Sequence, residues 1–369
     1  MSPSIAWFIS PHGFGHAARS AAVMDAIHEL HPEIRFEIFT QVPEWFFADS
    51  LTGPFSYHSL LTDIGLAQTN SLHEDVEATL QRLNNFLPFD TAQLEQTANQ
   101  IHRLNCSLVV CDIAPLGLAV AQTAGLPAIL IENFRWDWIY RGYLSAVNGE
   151  GRRQWARHIA YLNHWFEQAD FHLQAEPVCR PVPTANLTTR PISRRPRTPP
   201  QKIRRQLGLP DNAPLVMITM GGVAWQYTFY DRLQAATDYF FIVPNGGEKP
   251  EQRGNLILLP THSNFFHPDL MNAADAVIAK VGYSSLAEVY RGGAPLGYIA
   301  RPQFPESPVL VEYIQQNMPG LPITKAEFIS GDWLARLPDL LAQTRSRRDA
   351  VNGAEQAAAF IVSCGSVET

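Results

Sequence analysis

His12 and His16 lie in the run SPHGFGHAARS (Ser10 to Ser20), where Gly13 and Gly15 allow a tight turn and a close approach to a ligand. A neutral imidazole, with an ordinary pKa of about 6.5, can take the proton of a hydroxyl near neutral pH. A second run, AKVGYSSLAEVYRGGAPLGYIARP (Ala279 to Pro302), brings Gly282, Ser284 and Ser285 to the start of a helix. Bare N–H groups, two hydroxyls and the positive end of the helix dipole favour an anion there, and a diphosphate fits. Glu288, one turn further on, is placed to accept hydrogen bonds from a ribose diol behind the phosphates. Asp112 directly follows the apolar run Leu108 to Cys111. A carboxylate at a strand's C-terminal end faces the ligand crevice of an open α/β sheet. There it orients the imidazole or meets a substrate; alternatively it caps the next helix.

The elements that must carry these groups alternate between strand and helix, which predicts parallel α/β units. Ile5 to Ser10 reads as a strand feeding a helix over Ala17 to Leu30, with Ala21, Met24, Ile27 and Leu30 at helical spacing. Arg35 to Thr40 restores a strand, and Leu108 to Cys111, Leu116 to Ala124 and Ala128 to Ile131 form a second strand, helix and strand. The pattern restarts at Leu215 to Thr219, followed by Gly221 and Gly222. It continues through Phe240 to Pro244, Leu256 to Leu259, Asp275 to Ala279 and Leu296 to Ala300. Between Pro177 and Pro214 the periodicity vanishes into nine prolines and a cluster of arginines, as in an interdomain linker. A chain of 369 residues suits two domains. The expected division is 1–180, a linker at 181–212, a second domain at 213–345, and a C-terminal helix at 346–369 packing back on the first.

A net charge of −7 argues against a nucleic-acid partner. Cys106, Cys111, Cys179 and Cys364 show neither zinc-site nor disulfide spacing and read as reduced thiols. The start of the chain has no basic, apolar leader and no apolar run is long enough to span a bilayer, so a cytoplasmic protein is expected. Gly13, Gly15 and Ala18 match the loose dinucleotide fingerprint, but that reading needs an acid at the tip of the second strand, and Glu37 lies inside it.

Together, GFGHAAR and KVGYSSLAEVYRGGAPLGYIARP resemble the loops of two-domain GT-B glycosyltransferases, in the MurG-like and UDP-glycosyltransferase branches. NFRWDWIY (Asn133 to Tyr140) and RPQFPESPVLVEYI (Arg301 to Ile314) are similar to the glycosyltransferase-like half of plant L-arabinokinases. The resemblance implies two Rossmann-like domains facing across a cleft, with a nucleoside diphosphate sugar, a UDP-sugar, as co-substrate and no other cofactor. The donor would meet Gly15, Gly221, Gly222, His262, Gly282, Tyr283, Ser284, Ser285, Glu288 and Glu306. His16 would act as base with Asp112 beside it, and His12, Trp136 and Asp137 would meet the acceptor. Gly221 and Gly222 also suit a plain tight turn, the aromatic cluster around Asp137 a core or lid, and His262 a helix cap. No carboxylate pair of the DxD type speaks for a metal, so the helix terminus would neutralise the leaving diphosphate.

In this family an acidic residue followed by glutamine commonly holds the donor sugar, whereas here Glu306 is followed by Ser307. The implied function is inverting, metal-independent transfer of a sugar to a hydroxyl, on a small molecule or a glycolipid, and a peripheral membrane contact stays open. The alternatives are epimerisation or hydrolysis of a nucleotide sugar on the same fold, or a regulatory protein that binds the donor without transfer.

Overall fold

The computed structural model describes residues 4–222, 225–346 and 351–365. The N-terminal tip and part of the expected C-terminal segment, 347–350 and 366–369, lie outside the described residues. The first lobe is built on strands β1 (Ser4–Ile9), β2 (Arg35–Thr40), β3 (Phe55–Ser59), a hairpin of β4 (Ala67–Asn70) and β5 (His73–Asp75), then β6 (Cys106–Asp112), β7 (Ala128–Glu132), β8 (Phe171–Ala175) and β9 (Leu187–Thr189). Its parallel sheet runs β3-β2-β1-β6-β7-β8-β9. The second lobe holds β10 (Leu215–Thr219), β11 (Phe240–Val243), β12 (Glu251–Arg253), β13 (Leu256–Leu258), β14 (Ala276–Lys280), β15 (Leu296–Ile299) and β16 (Gly320–Pro322), in the order β12-β13-β11-β10-β14-β15-β16. Among the described residues of the two large sheets, only the edge strand β12 pairs antiparallel. The inner strands are nearly continuous apolar runs, SIAWFI in β1 and LVMIT in β10, because helices cover both faces of each sheet.

In both sheets the strand order reverses beside the first strand, between β1 and β6 and between β10 and β14. Crevices open at the C-terminal ends of strands at such points. The loop after β1 carries His12 to Gly15, and β6 ends on Asp112; the loop after β10 carries Gly221 and Gly222, and β14 leads into Gly282. The topology thus brings all four segments to two facing strand edges.

The proline- and arginine-rich run is structured. β9 belongs to the first sheet, while helix Pro200–Gln206 packs Ile203 into the second core. Charge pairing orders the stretch between them: Arg195 pairs with Glu29 and Glu355, and the Arg197 guanidinium donates to the carbonyls of Asp49 and Ser50. Short helical turns run up to Leu341, and the helix of the C-terminal segment spans Gly353–Gly365. Through Ala354, Ala357, Ala358 and Ile361 that last helix joins the first lobe's core beside helix Gly15–Leu30.

The β4–β5 hairpin, absent from the sequence reading, crosses from the first lobe to the second. Leu72 at its tip enters the apolar cluster of Met220, Phe229 and Phe328. Lys325 Nζ lies 2.6 Å from His73 Nε2, and Arg301 Nη1 is 3.3 Å from Glu74 Oε1. Truncation of a buried leucine costs about 2–5 kcal/mol. Leu72→Ala is therefore expected to lower the urea midpoint of the second lobe, followed by tryptophan fluorescence. An unchanged midpoint would show that the hairpin tip adds no packing across the lobes.

Candidate active site

Helix Gly15–Leu30 presents His16, Arg19 and Ser20 on one face, since residues three and four apart are neighbours on a helix. All three converge on Asp112, which is fully buried. Arg19 Nε donates to Asp112 Oδ2 at 2.9 Å and Nη2 to Oδ1 at 2.5 Å, while Ser20 Oγ donates to Oδ2 at 3.0 Å. The His16 Nδ1 nitrogen stands 3.0 Å from Oδ1. Arg19 Nη2 also stands 3.2 Å from Nδ1, but it donates to Oδ1 at the shorter distance; the nearer partner of Nδ1 is the carboxylate, which accepts only, so Nδ1 is assigned the proton and Nε2 keeps its lone pair for the cleft. Burial pushes against ionisation of Asp112, but the Arg19 charge outweighs it and holds the carboxyl below its usual range. Arg19 also donates to Asn133 Oδ1 at 2.7 Å. The next residue, Ile113, is buried at φ 44°, a conformation costly for a β-branched side chain, and it ends the strand directly after the carboxylate.

His12 is held differently. The Leu66 N–H donates to its Nδ1 at 3.3 Å, so the proton of the neutral ring sits on Nε2. Gly65, at φ 57°, lies so close that a Cβ there would stand 2.6 Å from the ring. Burial, then the nearby charges of His16, Arg301 and Lys280, hold the His12 pKa well below the usual range. His12 therefore serves as a neutral N–H donor.

Across the cleft, helix Tyr283–Gly292 starts at Gly282, whose extended backbone offers no side chain to cap the first turn. The amides of that turn have no side-chain cap, and Gly282, Ser284 and Ser285 border the cleft. Opposite them, Gly221 adopts φ 77°, and a Cβ on Gly222 would meet the Phe14 ring at 2.8 Å. Lys280 extends beside this turn, its Nζ 3.5 Å from where a Gly221 Cβ would be. Burial, and secondarily Arg301, pull its pKa down to about 7. The cleft is lined by His12, His16, Gly15, Gly221, Gly222, Lys280, Gly282, Ser284, Ser285, Glu288, Arg301 and Glu306. Glu306 Oε1 accepts from Asn133 Nδ2 at 2.7 Å, which ties the lobes together beneath it.

Solved structures of similar fold include glycosyltransferases. A UDP-glucosyltransferase from Polygonum tinctorium, described as glucosylating indoxyl, is 13% identical with a TM-score of 0.64, over 100% of this chain and 99% of that one. The glycotransferase of kitacinnamycin is 16% identical with a TM-score of 0.65, over 98% and 99%. The chain has the GT-B fold. No known family model matches. Among curated proteins, the L-arabinokinase of Arabidopsis thaliana is 24% identical over 361 residues, which is 96% of this chain but 33% of that protein. The chain thus spans about a third of that relative's length. An uncharacterized glycosyltransferase of Methanopyrus kandleri is 26% identical over 252 residues, 64% of this chain and 69% of that one.

Several expected ligand contacts are already engaged within the GT-B frame. Glu288 has both oxygens occupied: Arg194 donates to Oε1 at 2.9 Å, and His267 Nδ1 is 3.2 Å from Oε2. Only the second lone pair of each oxygen is left for a diol. The Tyr283 ring packs into the first lobe's core and its hydroxyl accepts from the Ile192 N–H at 3.0 Å, so this residue offers the cleft its backbone and not its phenol. His262 stacks on Trp45 and pairs with Asp49 at 3.1 Å, which turns it from the cleft lining to the cleft's rim. Asp137 is buried away from the cleft, held by Arg135 at 2.9 Å and Arg141 at 3.7 Å. Trp136 is fully buried behind the two histidines, its ring edge-on to His12 at 5.1 Å. Neither side chain lines the cleft. The sequence reading missed Arg19, Arg194, Lys280 and Arg301; only Arg19 carries a local signal, its three-residue spacing from His16.

Removing one partner of a buried ion pair costs about 3–5 kcal/mol, because the other charge is left uncompensated. Asp112→Asn is expected to destabilise the first lobe by about that much in urea unfolding, and Arg19→Met in the same chain should recover part of the loss. Full stability in the single variant would contradict the charge pairing described above.

Proposed function

We infer that this chain transfers a sugar from a nucleoside diphosphate donor, a UDP-sugar, to a hydroxyl acceptor with inversion and without a metal. The observation that carries the reading is the His16 imidazole, backed by Asp112, facing an uncapped helix start across one cleft. The acceptor hydroxyl gives its proton to Nε2 while its oxygen attacks the anomeric carbon. The C–O bond to the diphosphate breaks on the opposite side, so configuration inverts. Asp112 stabilises the imidazolium that forms. Amides of Gly282 to Ser285 and the Lys280 ammonium take up the charge of the leaving diphosphate, the work a cation does elsewhere. Among the described residues no group of three His, Cys, Asp or Glu side chains is placed to hold a metal ion. A cavity of about 540 Å³ in the first lobe, bordered by His12, Asp63, Arg82 and Phe86, is roomy enough for a small acceptor. No described helix is long and apolar enough to cross a membrane.

General base catalysis contributes about 10²–10⁴-fold. His16→Ala is expected to lower kcat by that order while UDP affinity, measured by calorimetry, stays within about twofold. Equal loss of both would assign His16 to binding alone. Turnover in excess EDTA should be undiminished; abolition would overturn the metal-free part.

Lys280 adds a pH signature. Its free pKa of about 7 leaves it largely neutral at a more alkaline pH, and a bound diphosphate must raise that pKa. UDP binding above pH 7 should therefore take up a proton, seen as a heat that depends on buffer ionisation, and affinity should fall as pH rises. Lys280→Met should remove the uptake. An uptake that persists in the variant would assign it to another group.

A further inference from the structure

Arg301 follows β15 into the cleft and is 5% exposed. Its guanidinium stacks on Phe304, 4.0 Å from the ring centroid, and its backbone N–H donates to Ser307 Oγ at 2.9 Å. Nη1 reaches Glu74 Oε1 of the crossing hairpin at 3.3 Å. The fork is thus fixed at one end, yet Nε has no hydrogen-bond partner among the described residues. A buried charged donor left unpaired is costly and uncommon, and a site that keeps one lacks an acceptor that a ligand supplies.

Three acceptors could come from a nucleotide sugar. The diphosphate already has the uncapped helix start, the Gly221–Gly222 turn and Lys280. A neutral sugar hydroxyl finds a natural partner in Glu306, whose Oε1 is anchored by Asn133. A carboxylate is the group whose two oxygens match the edge of a guanidinium, and Arg is the side chain suited to it. Lys280 lines the same cleft as Arg301, and of the two anions acting on Arg301, Glu74 is already paired with Nη1 and Glu306 is held by Asn133. Arg301 also belongs to the lobe that carries the diphosphate segments, which assigns the carboxylate to the donor.

Resting on the donor reading above, we propose that the transferred sugar carries a carboxylate, as a hexuronosyl group does, and that Arg301 recognises it. The test measures affinities of UDP, UDP-glucose and UDP-glucuronate for the full chain and for Arg301→Gln by calorimetry. The expected result is binding of the uronate at least tenfold tighter than the neutral sugar, with the preference lost in Arg301→Gln and UDP affinity unchanged in both proteins. Unchanged UDP affinity also shows that the variant is folded. Equal affinity for the two sugars, with UDP bound, would overturn the proposal and leave the donor reading standing. A parallel loss of UDP and uronate binding in Arg301→Gln would reassign the residue to the diphosphate and overturn it as well. No binding of UDP itself would remove the donor reading and this inference with it.

Discussion

A fully buried carboxylate must be neutralised where it stands, and at Asp112 that requirement organises the first lobe's half of the cleft. Arg19 supplies the charge, Ser20 a hydroxyl, and His16 the remaining polar contact. Because all three lie on one face of helix Gly15–Leu30, satisfying Asp112 also fixes how far that helix is rotated about its axis. The rotation in turn sets the glycine loop that precedes it and the direction in which His16 Nε2 points. One buried ion pair thus bears on a helix orientation, a tautomer and the direction in which an imidazole nitrogen faces.

The second lobe contributes the opposite character: backbone donors and cations in place of a proton acceptor. Its helix Tyr283–Gly292 begins without a side-chain cap, at the edge of the cleft. Contacts across the lobes hold the two halves at working distance. Asn133 to Glu306, Glu74 to Arg301 and the Leu72 insertion bridge them directly, and Arg194 of the connecting stretch reaches both Ser50 and Glu288.

The strand and helix order was legible because buried parallel strands are unbroken apolar runs and their loops are marked by glycine. β2 and β10 fall on the residues their composition indicates, Arg35 to Thr40 and Leu215 to Thr219. The hairpin was not legible, since QTN and HED have no apolar alternation and are held by the opposite lobe. The site divides in the same way. Local chemistry pointed to His16, Asp112 and the segment from Gly282 to Ser285, all of which border the cleft or back it. The engagement of Glu288 by Arg194, and the burial of Asp137 between arginines, depend on residues brought together by folding. A proline-rich arginine run read as solvated linker because its acidic partners lie far away in sequence, at Glu29, Glu288 and Glu355.

The measurement that bears most directly on this arrangement is the ¹⁵N NMR spectrum of the His16 side chain, in histidine-labelled protein assigned with His16→Gln, recorded with the ring neutral. A protonated Nδ1 and an unprotonated Nε2 are expected, with the pattern lost in Asp112→Asn. A neutral ring carrying its proton on Nε2 would contradict the account, because the nitrogen facing the cleft would then have no lone pair to accept a proton.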